Sequence, residues 1–185
     1  LRAIFGGVFI FSGFVKAVDP WGTAYKIEEY IAVFGMNWLT DAISFLPITL
    51  SILLSSLEFM IGVLIFFGFF PKLSKYSAAI IMGFFTILTF IDALTNKVDD
   101  CGCFGDAIKL TNWETFWKNI VLDVILVGII LLERKMELSV SKVNSKLLTS
   151  VFGIFIIFFS IYSAVYEPVI DFRAWKIGNQ MVPVG

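Results

Sequence analysis

Long apolar runs alternate with short polar segments along the chain, and five of the runs have about the length of a membrane span. A helix crosses the hydrocarbon core of a bilayer with about 20 consecutive apolar residues. The runs cover residues 1–18, 46–70, 74–95, 113–132 and 147–166. We therefore predict an all-α membrane protein with five transmembrane helices, of which the first four form a bundle. A signal peptide is the alternative for the first run, but no small-residue cleavage site follows it cleanly.

Composition supports a membrane protein and excludes several kinds of site. Hydrophobic residues make up 58% of the chain and charged residues 16%, against about 25% charged in ordinary soluble domains. The net charge of -1, without a basic block, argues against nucleic-acid binding. The chain has no histidine, which excludes a histidine-ligated haem and a histidine-based catalytic triad. Its two cysteines alone cannot supply the four ligands of a structural zinc site.

Basic residues outside the spans are concentrated in two short loops, and this asymmetry predicts an orientation. The loops of residues 71–75 and 133–146 hold six Lys and Arg residues. The opposite segments, residues 19–45, 96–112 and 167–185, are longer, and their acidic residues outnumber their basic ones. Loops rich in Lys and Arg stay in the cytoplasm, so the start of the chain is expected inside and its end outside. We expect a bacterial inner-membrane protein whose three acidic segments are periplasmic.

These spans and loops divide the chain into three segments. Residues 1–135 are expected to form the four-helix bundle, with the loop of residues 96–112 between its third and fourth helices. Residues 136–166 are expected to supply a cytoplasmic loop and the fifth span. Residues 167–185 are expected to form a periplasmic tail or the start of a soluble region.

The first outer loop contains an amphipathic stretch, TAYKIEEYIAVFG, at residues 23–35. Its aromatic and aliphatic residues recur near helical spacing while its charged residues lie elsewhere, which predicts a short helix on the membrane surface. Such a helix either packs over the ends of the bundle or forms a lid over the loop of residues 96–112. The sequence leaves both interpretations open.

Both cysteines of the chain lie one residue apart in the acidic segment DDCGCFGD, residues 99–106. A thiolate can attack a disulfide, and a second thiol nearby then resolves the mixed disulfide. Cys101 and Cys103 are therefore candidate catalytic residues of thiol–disulfide exchange, in a compartment where disulfides persist. The acidic neighbours oppose thiolate formation unless a cation such as Lys97 or Lys109 offsets them. A static disulfide, a pair of inert thiols and a soft-metal site are the alternatives.

Three polar residues lie deep in the predicted spans, where such groups face the bundle interior and need a partner. Glu58 lies near the middle of the second span, Asp123 near the middle of the fourth, and Asn119 one turn before Asp123. The carboxyl groups of Glu58 and Asp123 have similar depths, so we expect them to approach each other with one protonated and with Asn119 bonded to either. The functional interpretation is a proton relay or a quinone head-group site, and the structural one is hydrogen bonding between helices.

Two further pairs lie near the outer ends of the spans. Lys16 and Asp92 each lie a short way inside the outer surface and are candidates for an ion pair, unless Lys16 extends to the interface instead. Trp113 and Trp117 are one helical turn apart on the fourth span. They suit either an interfacial aromatic belt or a surface on which a cofactor ring stacks, and they are our candidate cofactor-binding residues.

Three quoted segments carry a resemblance to a known family: RAIFGGVFIFSGFVKAVDPWG near the start, LEFMIGVLIFFG in the second span and DCGCFGDAIKLTNWETFWKN around the cysteines. Together they resemble the DoxX-like/MauE membrane proteins, in their Bacteroidetes form, over roughly the first 135 residues. The resemblance implies a four-helix bundle similar in architecture to quinone-coupled disulfide-forming enzymes. It further implies Cys101 and Cys103 as the thiol-active pair and Glu58 as the intramembrane acid. With one cysteine pair, electrons would pass directly to a quinone or through a second thiol protein.

The sequence thus predicts a membrane thiol–disulfide redox component that exchanges disulfides with a periplasmic partner and passes electrons to a quinone. The alternative is a non-catalytic subunit or assembly factor of a larger envelope complex, in which the loop disulfide is structural. The expected partners are the lipid bilayer and either a periplasmic thiol protein or other membrane subunits. Whether the protein is an enzyme is left open by the sequence.

Overall fold

The structure, a computed structural model, describes residues 1–96, 98, 103–106, 108, 110–132 and 142–166. In these ranges the chain forms seven helices and one short extended segment. The elements are α1 (Arg2–Val18), α2 (Pro20–Val33), α3 (Asn37–Ala42), α4 (Leu46–Phe67), α5 (Pro71–Thr95), β1 (Cys103–Asp106), α6 (Asn112–Leu132) and α7 (Lys142–Tyr166). The basic loop of residues 133–141 and the predicted tail of residues 167–185 lie outside the described residues.

Four of these helices, α4, α5, α6 and α7, are long and apolar enough to cross a membrane. A fifth span is possible at α1, which has 17 residues and bends by 94° into α2. The predicted fold class, an all-α membrane protein, is therefore confirmed, and the five predicted spans correspond to four or five spans among the described residues. The large apolar side chains that remain exposed along these helices face the lipid, which is where a membrane protein places them.

Proline, glycine and a capping carboxylate set the helix boundaries. Asp19 separates α1 from α2: its Oδ1 accepts a hydrogen bond of 3.1 Å from the Gly22 N–H, and Pro20 occupies the first turn of α2. Gly68, with φ of +75°, ends α4 before the predicted boundary at residue 70. Pro71 then begins α5 earlier than predicted, because proline suits the first turn of a helix.

The amphipathic stretch of residues 23–35 forms most of α2, as its pattern predicts. This helix crosses one end of the bundle and is bonded to two spans. Ser51 Oγ donates to the Pro20 carbonyl oxygen at 2.7 Å, and Trp21 Nε1 donates to the Ala164 carbonyl oxygen at 2.9 Å. We call this end, where α1 and α5 finish and α6 begins, the β1 end of the bundle.

Glycines allow α1 and α4 to pack very closely as an antiparallel pair. A Cβ atom added at Gly13 would lie 2.7 Å from the Ser55 carbonyl oxygen, and one added at Gly6 would lie 2.9 Å from the Gly62 carbonyl oxygen. Real Cβ atoms do not make contacts that short, so these positions require glycine. Small residues at such interfaces let helix backbones approach within a membrane, where van der Waals packing drives association.

The bundle consists of two antiparallel pairs of helices. The pair α1–α4 has the largest contact, α5 and α6 pack chiefly on each other, and the contact between the two pairs is much smaller. Apolar side chains from both pairs meet in the core, among them Phe5, Phe9, Ile65, Met82 and Leu126. The span α7 packs on the other side of α4. The seam between the two pairs is thus the least tightly packed part of the four-helix bundle.

The α1–α4 contact gives a testable prediction about stability. Gly13→Ala is expected to destabilise the protein by about 1–3 kcal/mol, because the new methyl group must push α4 away. The thermal unfolding midpoint in detergent should therefore fall. The matched control is Gly7→Ala, because nothing lies within 4 Å of a Cβ atom at Gly7. Equal midpoints for the two variants would contradict the close contact.

Candidate functional site

An ion pair is buried between α1 and α4 inside the bundle. Lys16 Nζ lies 2.7 Å from Glu58 Oε1 and 2.8 Å from Glu58 Oε2, and each side chain is only 4% exposed. Ser12 Oγ donates a third hydrogen bond to Glu58 Oε2 at 2.9 Å. A charge buried in this way is tolerated only when its partner and further hydrogen bonds compensate the lost hydration. Lys16, Glu58 and Ser12 therefore act as one polar unit.

The antiparallel arrangement of α1 and α4 explains why these side chains meet. Side chains of a helix lean toward its N-terminus. Lys16, near the C-terminal end of α1, therefore leans back into the bilayer, whereas Glu58 leans toward the β1 end. The two side chains thus extend toward each other from different depths.

A polar cavity adjoins the ion pair at the seam between the two helix pairs. Its volume is about 20 Å³, enough for at least one water molecule. Its polar lining consists of Ser12, Lys16, Glu58, Lys118 and Asn119, and its aromatic lining consists of Phe9, Phe85 and Phe104. Residues of α1, α4, α5, α6 and β1 all contribute, so the cavity exists only when both helix pairs are assembled.

The segment β1 closes the cavity at the end of the bundle. Phe104 is part of the cavity wall and its ring packs on Phe11 with centroids 5.7 Å apart. A Cβ atom added at Gly105, where φ is +55°, would lie 3.9 Å from Lys16 Cγ and from Val15 Cγ1. The backbone of β1 therefore lies directly on the last turns of α1, above the ion pair.

Lys118 gives the cavity an excess of positive charge. Its ammonium group lies 4.4 Å from the centroid of the Phe104 ring, within the range of a cation–π interaction. In the part of the chain that the structure describes, no carboxylate lies within 4.0 Å of this ammonium group. Among the described residues, two ammonium groups and one carboxylate thus line the cavity, a set that favours one additional anion.

The structure places the backbone of one predicted cysteine at the edge of this site. Cys103 is the first residue of β1 and directly precedes Phe104, so its backbone lies beside the cavity wall. Cys101 and the side chain of Cys103 lie outside the described residues. Their assignment as catalytic residues stays a prediction.

The expected approach of Glu58 to Asp123 is wrong, because each carboxylate has partners on a different helix. Glu58 is bonded to α1, whereas Asp123 Oδ2 accepts a hydrogen bond of 2.7 Å from Thr86 of α5. Asn119 bonds to neither of them: its Nδ2 donates to Thr89 Oγ1 at 3.2 Å. Asn119 does share the cavity with Glu58, while Asp123, one turn further along α6, is not among the residues that line it.

The predicted Lys16–Asp92 ion pair is also wrong. Lys16 is paired with Glu58, and Asp92 Oδ2 accepts a hydrogen bond from the Tyr30 hydroxyl of α2. The sequence placed Lys16 and Asp92 at similar depths but did not show that Lys16 leans away from the surface. The helix α2 thus covers the end of α5, as expected if the amphipathic stretch packs over the ends of the bundle. It also contacts β1, which belongs to the loop that the alternative places under this stretch.

Trp113 and Trp117 lie on the outside of α6 at the β1 end. They are 46% and 60% exposed, and both pack edge-on against Phe116. This position suits an interfacial aromatic belt. Stacking of a cofactor ring on them stays a prediction.

Binding of a quinone stays a prediction. The cavity offers hydrogen-bond donors from Ser12, Asn119 and Lys118. Ser12, Phe104 and Lys118 were not identified from the sequence as site residues. Lys118 could have been identified from the sequence, because it is a lysine within an apolar span and directly precedes Asn119.

The fold and this site define a multi-pass helical membrane protein with a polar cavity that a cysteine-containing segment closes. The chain belongs to the family described as methylamine utilisation protein MauE, whose family model matches residues 1–132. The match ends with the last residue of α6, so α7 lies beyond it. It confirms the MauE part of the predicted resemblance, while the resemblance to DoxX proteins stays a prediction. Neither a curated protein nor a solved structure matches the chain.

The buried ion pair predicts a strong coupling between two substitutions. Lys16→Met or Glu58→Gln alone should cost about 3–5 kcal/mol, because each leaves a polar partner buried without compensation. The double variant should be more stable than either single variant, since both charges are then removed. The measurement is a double-mutant cycle: the thermal unfolding midpoints of the unaltered protein, the two single variants and the double variant are compared in the same detergent.

A pair at the surface of α2 provides the control for this cycle. Lys26 Nζ lies 3.3 Å from Glu29 Oε2, and both side chains are partly exposed. Glu29→Gln should therefore change stability by less than about 1 kcal/mol. Additive effects of Lys16→Met and Glu58→Gln would show that the two groups are not paired in solution.

Proposed function

We propose that this protein is a membrane thiol–disulfide redox component whose cysteine pair, Cys101 and Cys103, exchanges disulfides with a protein partner outside the membrane. The observation that carries the proposal is the position of β1. This segment begins at Cys103 and lies on α1 directly above the buried Lys16–Glu58 pair. The segment that begins at Cys103 is thus anchored beside the buried ion pair of the bundle.

The charge of the cavity supports a role in thiol chemistry. A cysteine reacts as its thiolate, and nearby cations favour that form. The acidic residues around the cysteines oppose it, and the sequence alone offered only Lys97 and Lys109 as counter-charges. Lys118, which packs under Phe104, adds a cation within the span that follows the loop. The excess positive charge of the cavity then favours a thiolate in the adjacent segment.

The proposed exchange moves two electrons and two protons from the partner to the loop. A thiolate of the partner attacks the Cys101–Cys103 disulfide, which forms a mixed disulfide and releases one cysteine. The second thiol of the partner then displaces the other cysteine. The partner leaves with a disulfide, and Cys101 and Cys103 are left as thiols.

The loop must then be reoxidised by an acceptor of two electrons. We propose a second envelope protein that carries its own disulfide, which becomes a dithiol as the Cys101–Cys103 disulfide forms again. No step is assigned to a quinone in the cavity. The exposed surface of Trp113 and Trp117 is where a membrane quinone would have to dock. We place the cysteine loop in the periplasm and the chain in a bacterial inner membrane, following the basic loops.

A second candidate function is a non-catalytic subunit or assembly factor of a larger membrane complex. The half-buried carboxylate of Asp123 favours it, since an intramembrane acid normally has a charged or polar partner. In this case the cysteine pair would hold one redox state permanently. The two functions therefore differ in the redox behaviour of the loop.

The redox state of Cys101 and Cys103 in intact cells tests the proposal. Free thiols are labelled with a bulky maleimide and counted by gel mobility before and after a short pulse of reductant. The proposal requires a disulfide that is reduced by the pulse and re-forms within minutes. Cys103→Ser should then trap a mixed disulfide with the partner. A pair that stays in one state throughout favours the subunit instead.

The role assigned to Lys118 has a separate test. Lys118→Met is expected to slow alkylation of the reduced cysteines by iodoacetamide severalfold at neutral pH, because less thiolate is present. Lys118→Arg keeps the charge and should restore the rate. Lys72→Met removes a charge at the opposite end of α5 and serves as the control. Identical alkylation rates for the unaltered protein and the three variants would show that Lys118 does not promote thiolate formation.

A further inference from the structure

A carboxyl group lies near the middle of α6 with one hydroxyl group as its partner. Asp123 is 11 residues after the first residue of this span and 9 before its last, and its Oδ2 accepts a hydrogen bond from Thr86 of α5. Within the described part of the chain, no cation lies within 4.0 Å of it. It is outside the cavity that holds Glu58, so the thiol chemistry proposed above does not use it.

Asp123 and Thr86 are accessible from the lipid side of the bundle. Both residues are only partly buried, and they lie beside side chains that face the lipid. Ile87, next to Thr86, is 64% exposed, and Val127, one turn after Asp123, is 52% exposed. A carboxyl group that reaches this surface in the middle of a bilayer is expensive to leave without a polar partner.

The helix face beside this pair has space for another helix. Gly83 lies one turn before Thr86 on α5, and nothing lies within 4 Å of a Cβ atom added there. This contrasts with Gly13, where α4 fills the corresponding space. A glycine open to the lipid lets a neighbouring helix approach closely. We call the surface formed by Gly83, Thr86 and Asp123 the α5–α6 notch.

A second copy of this chain does not offer a suitable charge for the notch. The lysines well inside the described spans are Lys16 and Lys118, and both line the cavity. The other basic residues of these spans lie in the first two turns of their helices, far from the depth of Asp123. The complementary charge must therefore come from a different protein.

We propose that the α5–α6 notch binds a transmembrane helix of another membrane protein, and that this helix carries a lysine or arginine near its middle. The small residue at Gly83 admits the backbone of that helix, and its cation pairs with Asp123 beside Thr86. The contact lies on the hairpin α5–α6, whose outer surface no other described element covers.

The test uses synthetic polyleucine transmembrane peptides as the probe. One peptide carries a single central lysine, and its control carries leucine at that position. The full chain, with an acceptor dye at its N-terminus, is reconstituted in lipid nanodiscs with donor-labelled peptide, and energy transfer is titrated. The lysine peptide is expected to bind about tenfold more tightly than the leucine peptide. Equal affinities for the unaltered protein would overturn the proposal without any variant.

Two variants locate the binding site. Asp123→Asn keeps the size of the side chain and should abolish the preference for lysine. Gly83→Leu fills the notch and should weaken binding of the lysine peptide although Asp123 is unchanged. Gly7→Leu also fills open space at a glycine, but on α1, and should leave binding unaltered. A lysine preference that survives both Asp123→Asn and Gly83→Leu would exclude the notch as the site.

Discussion

The arrangement of the bundle depends on the ion pair between Lys16 and Glu58. An ionised side chain in the bilayer needs a partner at short range, so the pair requires α1 and α4 to adopt one register and one rotation. The glycines between these helices make that distance attainable. Once α1 is fixed in this way, Ser12 and Lys16 face the hairpin α5–α6. The cavity then forms where this face of α1 meets Phe85, Lys118 and Asn119 of the hairpin.

The two halves of the bundle differ in how they are held. The α1–α4 pair has backbone-close packing and a buried ion pair, whereas the hairpin α5–α6 has a smaller contact with it. The cysteine motif belongs to the hairpin, since it lies in the connection between α5 and α6. Phe104 and Gly105 bring that connection onto the rigid pair at α1. The thiol-bearing segment is therefore supported by one half of the bundle while it is covalently part of the other.

The length of the apolar runs predicted the spans well, because the composition of each run is enough to recognise it. The sequence also singled out Glu58, Asn119 and Asp123 as intramembrane polar residues, but not Ser12, Ser51, Lys118 or the threonines that bond between helices. The sequence did not predict which of these polar residues contact each other. Depth along each span was used to pair Glu58 with Asp123 and Lys16 with Asp92. The actual pairing of Glu58 depends on which helices are neighbours and on the direction in which side chains lean, and neither is visible in one sequence.

The polar groups of the bundle fall into two sets with different demands. Around Glu58 the charges are compensated within the chain, and the remaining positive charge faces the cysteine segment. Around Asp123 the described residues supply one partner, Thr86, and the opening faces the lipid. A helix bound at Asp123 would contact the same hairpin that carries the cysteines. The proposed redox role and the binding of a membrane partner at Asp123 are therefore compatible, because a partner bound at the hairpin would also lie near the cysteine segment at its end.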